Sequence, residues 1–349
     1  VAAAAAALVL TAVTGCGARV AGKAVEAAGG TASPSPTAGG SSPGTTKPGS
    51  SASPSKPALV PTDAEALSLV NTLDVSPTNT AGELDEAEAA KRLAEPMLSV
   101  VKASWRIAKP SYRISGRMPA PFQGRVYRPA PSANGDRWFV VADGTLDSDD
   151  SYAYIFRSTA ADPTWKLAMA TILVEGQRFP GIDEDKAGLA QVVSSSAGLA
   201  VDPAAVCGQF AKPAEQRPAW GPNMRKLDEM IADDRAQLER QKVTKDGTSK
   251  LRADAVGPVW RSADGGALVP CVMENRQKTA VSGGGALLLD GSSRYKVDVP
   301  GLKVASYVDT NITMALVWVP PATGAASTVP DVATVVTFPL DFTYVEAKR

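Results

Sequence analysis

The chain of 349 residues is 44% hydrophobic, enough for at least one full core and long enough for two. Its 36 Lys and Arg balance 36 Asp and Glu, so no basic field exists to recruit nucleic acid, which is excluded as a partner. With no histidine anywhere, Ser-His-Asp and Cys-His catalysis, histidine-held zinc or iron, and the commonest neutral-pH base are all removed.

Residues 1–13 are nearly all Ala, Val and Leu, the composition of a signal-peptide h-region and too short for a span of about 20 apolar residues. Val13-Thr14-Gly15-Cys16 follows as a lipobox, predicting a signal peptide over 1–15 and lipid attachment at Cys16. The sequence opens on Val1 with neither Met nor a basic n-region, so the expectation is that the signal begins upstream. Two or three acyl chains, palmitate among them, hold a protein stably at a membrane where one is marginal. Residues 16–60 read as a lipid-anchored, disordered tether: from Thr31 to Pro57, 22 of 27 residues are Ser, Thr, Pro or Gly.

Of three cysteines, lipidation of Cys16 leaves Cys207 and Cys271 as a disulfide pair in an oxidising compartment. The bridge closes a loop of about 64 residues, worth ~4 kcal/mol by loop entropy. Two buried free thiols are the alternative.

A first α+β module is expected over 61–210. Thr62-Asp63-Ala64-Glu65 is a capping box opening a short helix, and Thr80-Ala81-Gly82-Glu83 a second box opening a longer one, broken near Pro96. Strand patterns follow at 111–118, 122–128, 137–142, 152–158 and 164–174, punctuated as antiparallel hairpins. Residues 185–210 read as helical. Pro213, Pro218 and Pro222 mark a linker into a second module over 211–349. Its helix spans about 223–243, with Met224, Leu227, Ile231 and Leu238 on one stripe. Strands near 256–262 and 267–274 flank the hairpin signal Ala263-Asp264-Gly265-Gly266, with others near 286–289, 294–299, 303–319 and 332–345. Each half runs helix first and strands afterwards, so the fold class is α+β with curved antiparallel sheets.

Arg137-Trp138-Phe139-Val140, Tyr154-Ile155-Phe156-Arg157 and Trp165-Lys166-Leu167-Ala168 resemble the first half of an uncharacterised actinobacterial lipoprotein family. Arg261 to Val269 and Val317-Trp318-Val319-Pro320-Pro321 resemble its second half. The resemblance implies two NTF2-like (cystatin-like) modules, where a helix packs in a bent sheet and can leave a pocket, and it brings no catalytic residues. Cys271 stands where that family more often has an aromatic or aliphatic residue, which makes its bridge a local feature.

Other motifs resolve into structure. Asp143, Asp147, Asp149 and Asp150 lack the glycine and glutamate offsets of an EF-hand and read as an acidic turn. Asp183, Glu184 and Asp185 suit a helix N-terminus. Ser99-Val100-Val101-Lys102 lacks the companion motifs of penicillin-binding enzymes, and the glycines of 281–286 lack a phosphate-loop ending. Trp105, Trp138, Trp165, Trp260 and Trp318 are expected in the core. No metal site and no cofactor are expected.

These features favour a non-enzymatic bacterial lipoprotein on the outer face of the cell membrane, an extracytoplasmic binding or interaction module for an unidentified protein or small-molecule ligand. An envelope-acting enzyme with paired carboxylates, or a structural or sensory spacer, are the alternatives.

Overall fold

The computed structural model describes residues 61–114, 124–129, 135–142, 152–173, 179–252, 257–283, 285–289, 295, 302–323 and 329–347. The proposed signal, Cys16, the tether and the acidic turn around Asp147 lie outside them. Among the described residues, five α-helices and ten strands follow one another in runs along the chain. Helices α1 (Asp63–Thr72), α2 (Glu86–Arg92) and α3 (Met97–Ile107) come first. Strands β1 (Arg125–Tyr127), β2 (Arg137–Ala142), β3 (Tyr152–Ser158) and β4 (Lys166–Leu173) follow. After α4 (Pro203–Phe210) and α5 (Pro222–Arg240) come β5 (Val243–Leu251), β6 (Trp260–Arg261) and β7 (Ala267–Val281). The chain finishes with β8 (Leu287–Leu289), β9 (Leu302–Val319) and β10 (Asp331–Glu346).

Local chemistry explains the helix boundaries. At α1 the predicted capping box forms, with Glu65 N–H donating to Thr62 Oγ1 (3.3 Å) and Thr62 N–H to Glu65 Oε2 (2.7 Å). The Thr62 N–H first, and then the Thr62 hydroxyl, which donates to Glu65 Oε2 (2.8 Å), hold the Glu65 carboxyl below its usual range. The second predicted box does not cap a helix. Asn79 Oδ1 instead accepts the N–H groups of Ala81 and Glu83 in a tight turn, and α2 starts later with Asp85 as its cap. Pro96 separates α2 from α3, as its missing N–H and fixed φ require. The N-terminus of α5 is capped across the molecule by Asp331, whose carboxylate accepts from Asn223 N–H (3.2 Å) and Met224 N–H (2.9 Å). Residue 221 must be glycine there, since a Cβ would sit 2.4 Å from Asp331 Cγ.

The strands form one antiparallel sheet in the order β1-β2-β3-β4-β10-β9-β7-β5, with β6 on β7 and β8 on β9. Strands from the 61–210 and 211–349 halves meet where β4 pairs with β10, Thr334 opposite Leu173 and Val335 opposite Ile172. One hairpin-like segment, residues 181–193, bonds to both the β1 flank and β6 of the sheet. On one side Ala190 N–H donates to Arg128 O beyond β1 (2.9 Å). On the other, Asp183 N–H donates to Arg261 O on β6 (2.8 Å), and Val193 N–H to Val259 O (2.8 Å). An ion pair between Arg125 and Glu184 ties the same seam, with the Arg125 guanidinium 5.0 Å above the Tyr127 ring.

This seam corrects the helical expectation for 185–210, of which only 203–210 is α-helix. Asp185 Oδ1 accepts from Ala187 and Leu189 N–H, and Gly188 and Gly198 take positive φ, so the chain turns rather than winds. The acidic trio therefore opens no helix. Two further differences are local. Residues 110–112 form a 3₁₀ turn within the predicted 111–118 strand, whose last residues lie outside the described set. The polar stretch 243–251, directly after the helix expected to end near 243 and matching no predicted strand, is β5.

Two cores divide alternate residues of the same strands, as a period of two dictates. On β9, Ile312, Met314 and Leu316 enter the larger core with β2–β4 and α1–α3, whereas Ala315, Val317 and Val319 enter a second beneath α4 and α5. Cys207 on α4 is bridged to Cys271 on β7 within the second core (Cα–Cα 5.4 Å), as expected. A small third cluster, Leu289, Leu302 and Val304, sits under Tyr307, Phe342 and Tyr344 at the far end of the ribbon.

Candidate functional site

A cleft of about 500 Å³ opens between the α1–α2 corner and the β3–β4 hairpin. Its floor is apolar: Leu69 and Leu73 from the end of α1, Phe156 from β3, and Trp165 just before β4. Phe156 is held by stacking on Phe139 (centroids 4.6 Å, planes 8° apart), and Trp165 meets Phe139 edge-on at 4.9 Å. The Arg137 guanidinium lies 5.4 Å from the centroid of the Trp165 ring and donates to Ser158 Oγ (2.7 Å), which fixes the indole from its other neighbour. Ala94 N–H donates to Leu167 O (2.9 Å), pinning the end of α2 to β4 and setting the width of the cleft.

The rim is polar and internally paired. Glu88 receives Lys91 Nζ and Arg92 Nη2, each at 2.8 Å, and Arg92 also faces Asp74 at 4.0 Å. Lys91 first and then Arg92 hold the Glu88 carboxyl below its usual range, while Glu88 raises Lys91. Beside the lining residue Thr164, the Lys166 ammonium first and then Thr164 hold Asp162 low as well. Every one of these displacements favours the charged form at neutral pH, which suits ion pairing and not proton transfer. The arrangement presents an aromatic and aliphatic floor with two cations, Lys91 and Arg92, and one carboxylate, Asp74, at its edge. Such a surface fits the apolar body of a ligand with a polar end.

The five tryptophans singled out from the sequence divide accordingly. Trp138 and Trp260 are buried, Trp105 and Trp318 are half-buried against the larger core, and Trp165 alone of the five lines the cleft. Ser99 and Lys102 lie on α3 and are engaged with Glu95 and Glu86. Among the described residues, no group of three or more His, Cys, Asp or Glu side chains gathers as metal ligands, and no helix is long and apolar enough to cross a membrane. The cleft itself was not legible in the sequence: Leu69, Arg92 and Trp165 read as ordinary helix and strand residues until the fold brings them together.

A family model described as Domain of unknown function (DUF8094) matches residues 82–337, which runs from the turn before α2 into β10. No curated protein and no solved structure matches the chain. With most of its length covered by that model, the chain belongs to the DUF8094 family, a family without an assigned activity.

Proposed function

We propose that this chain is a bacterial lipoprotein, anchored through Cys16 to the outer face of the cell membrane, that binds a ligand without transforming it. The observation that carries the reading is the Cys207–Cys271 bridge. A disulfide belongs to an oxidising compartment, and its formation leaves Cys16, at the end of the Val13-Thr14-Gly15-Cys16 motif, as the one remaining thiol of three. The Ser/Thr/Pro/Gly-rich stretch then serves as a leash of ~35 Å mean reach between lipid and folded body. Residues 61–210 and 211–349 are read as two NTF2-like units, helices ahead of strands in each, joined through β4 and β10.

The cleft over Phe156 and Trp165 is the ligand site in this reading, and the self-paired carboxylates around it favour binding over acid–base chemistry. The test is the full chain expressed in its bacterial host with Cys16→Ala. Release from the membrane fraction and loss of the diacylglyceryl mass on the mature N-terminus are expected. Equal membrane retention with an uncut leader would sink the anchor. Trp165→Ala, in turn, should leave anchoring unchanged and abolish binding of whatever small molecule co-purifies with the wild-type protein.

A further inference from the structure

We propose that β5 is the docking edge for a second copy of this chain, the two β5 strands pairing antiparallel about a two-fold axis at Thr248. Strand β5 ends the sheet path, and among the described residues nothing pairs with its outer side. Its nine residues run against β7 without a register shift, Val243 opposite Val281 through Leu251 opposite Met273. It has no proline and no bulge, and of the devices that blunt an edge it carries only charge, at Lys245, Asp246 and Lys250. Residues 246–251 are all exposed.

The direction of the free backbone groups follows from the strand's two ends. Arg252 N–H donates to Val272 O (3.0 Å) and Ser282 N–H to Lys242 O (2.9 Å), so the even residues exchange hydrogen bonds with β7. The odd residues, 245, 247, 249 and 251, therefore aim their N–H and C=O groups outward. A symmetric antiparallel partner must match odd with odd, which restricts the register to a few choices.

Charge selects among them. Placing the axis at Thr248 sets Asp246 opposite Lys250 of the second copy, twice over, at non-hydrogen-bonded positions where side chains approach most closely. Gly247 then faces Ser249, and the half-exposed Leu251 (44%) meets the aliphatic stem of Lys245, whose ammonium is already held 3.2 Å from Asp234 on α5. The axis at Gly247 sets Asp246 against Thr248 and Lys250 against Thr244, leaving each charge only the opposite charge it faces on β7, Lys278 and Glu274. The axis at Ser249 sets Lys250 against Thr248 and Asp246 against Arg252, which is already committed to Glu274 (3.9 Å). Helix α5 does not obstruct the pairing. It joins β5 at the Val243 end and pairs with Lys245, so the two α5 helices lie at opposite ends of the new interface. The partner is thus another copy, recognised by backbone hydrogen bonds and two symmetric ion pairs.

The experiment uses the full chain in its native envelope. Thr248→Cys should form a self-disulfide under mild oxidant, because residues directly opposite at a non-hydrogen-bonded pair have Cβ atoms close enough to bridge. Thr244→Cys, on the same face but outside the matched register, is expected to remain monomeric. In detergent extract, Asp246→Lys or Lys250→Asp alone should weaken association about ten-fold, and the two together should restore it. Thr248→Cys chains that stay monomeric, or that crosslink to a different protein, overturn the proposal. So do single charge reversals that associate as tightly as the double reversal.

Discussion

Strands β3 and β5 are similar in length and both antiparallel, yet they could hardly differ more in what holds them. Residues 152–156 of β3 are all buried, whereas in β5 only Val243 is. β3 lies between β2 and β4 with hydrophobic packing around it, and its β-rich composition, Tyr-Ala-Tyr-Ile-Phe, would form a strand in many settings. β5 reads Val-Thr-Lys-Asp-Gly-Thr-Ser-Lys-Leu and is a strand because β7 offers it a continuous ladder. One strand is specified by its own side chains and the other by its neighbour. Stability should therefore be concentrated at the first and partner choice at the second.

The largest effect should come from the buried end of that contrast. Phe139→Ala removes a fully buried ring stacked on Phe156 and should cost about 3–5 kcal/mol in urea unfolding, while Thr248→Ala in β5 should stay within about 0.5 kcal/mol. Comparable losses at the two sites would break the comparison. Next, replacing Cys207 and Cys271 with Ser and Ala should cost about 2–4 kcal/mol, and nonreducing peptide maps should show the bridge in the wild type.

Asp331→Ala is expected to cost about 1–2 kcal/mol by uncapping α5, seen as faster amide exchange in its first turn. Protection of β3 should be untouched. The smallest effect is acid sensitivity. The carboxyls of Glu65, Glu88 and Asp162 are all depressed in the folded chain, by Thr62, by Lys91 and Arg92, and by Lys166 and Thr164. Their stabilisation is present above the unfolded carboxylate range and is lost as pH falls through the lower folded values. Unfolding midpoints should hold steady from neutral pH down to about 5 and decline below about 4, more shallowly in Glu88→Gln. A decline beginning near neutrality would require other groups.

How far the fold could be read in advance follows the same division. Stretches whose side chains decide their own conformation were legible: the Thr62 capping box, the break at Pro96, helix α5, and β2, β3, β9 and β10 within one or two residues. Of the stripe expected on α5, Met224 and Leu238 are buried and Leu227 partly so, whereas Ile231 is exposed. The hairpin at Ala263-Asp264-Gly265-Gly266 formed as its turn chemistry required, with Ser262 N–H donating to Gly266 O. Stretches decided by distant partners were not. Asn79 outcompeted Thr80 for the backbone, residues 182–193 were folded into a hairpin held by Arg128 and Arg261, and β5 was recruited by β7. The disulfide was reached by counting thiols. The cleft was out of reach, since its floor joins residues nearly a hundred positions apart and nothing local marks Leu69 or Trp165.

Strand β10 is the last of the ten to leave the ribosome, and it lies in the middle of the sheet, between β4 and β9. Until it arrives, β4 and β9 each present a bare flank, and the caps and stacks of the earlier segments have no body to join. Maturation must then be a late, concerted event. A chain cut short before residue 331 would offer two adhesive strands at once, making it a ready substrate for proteases.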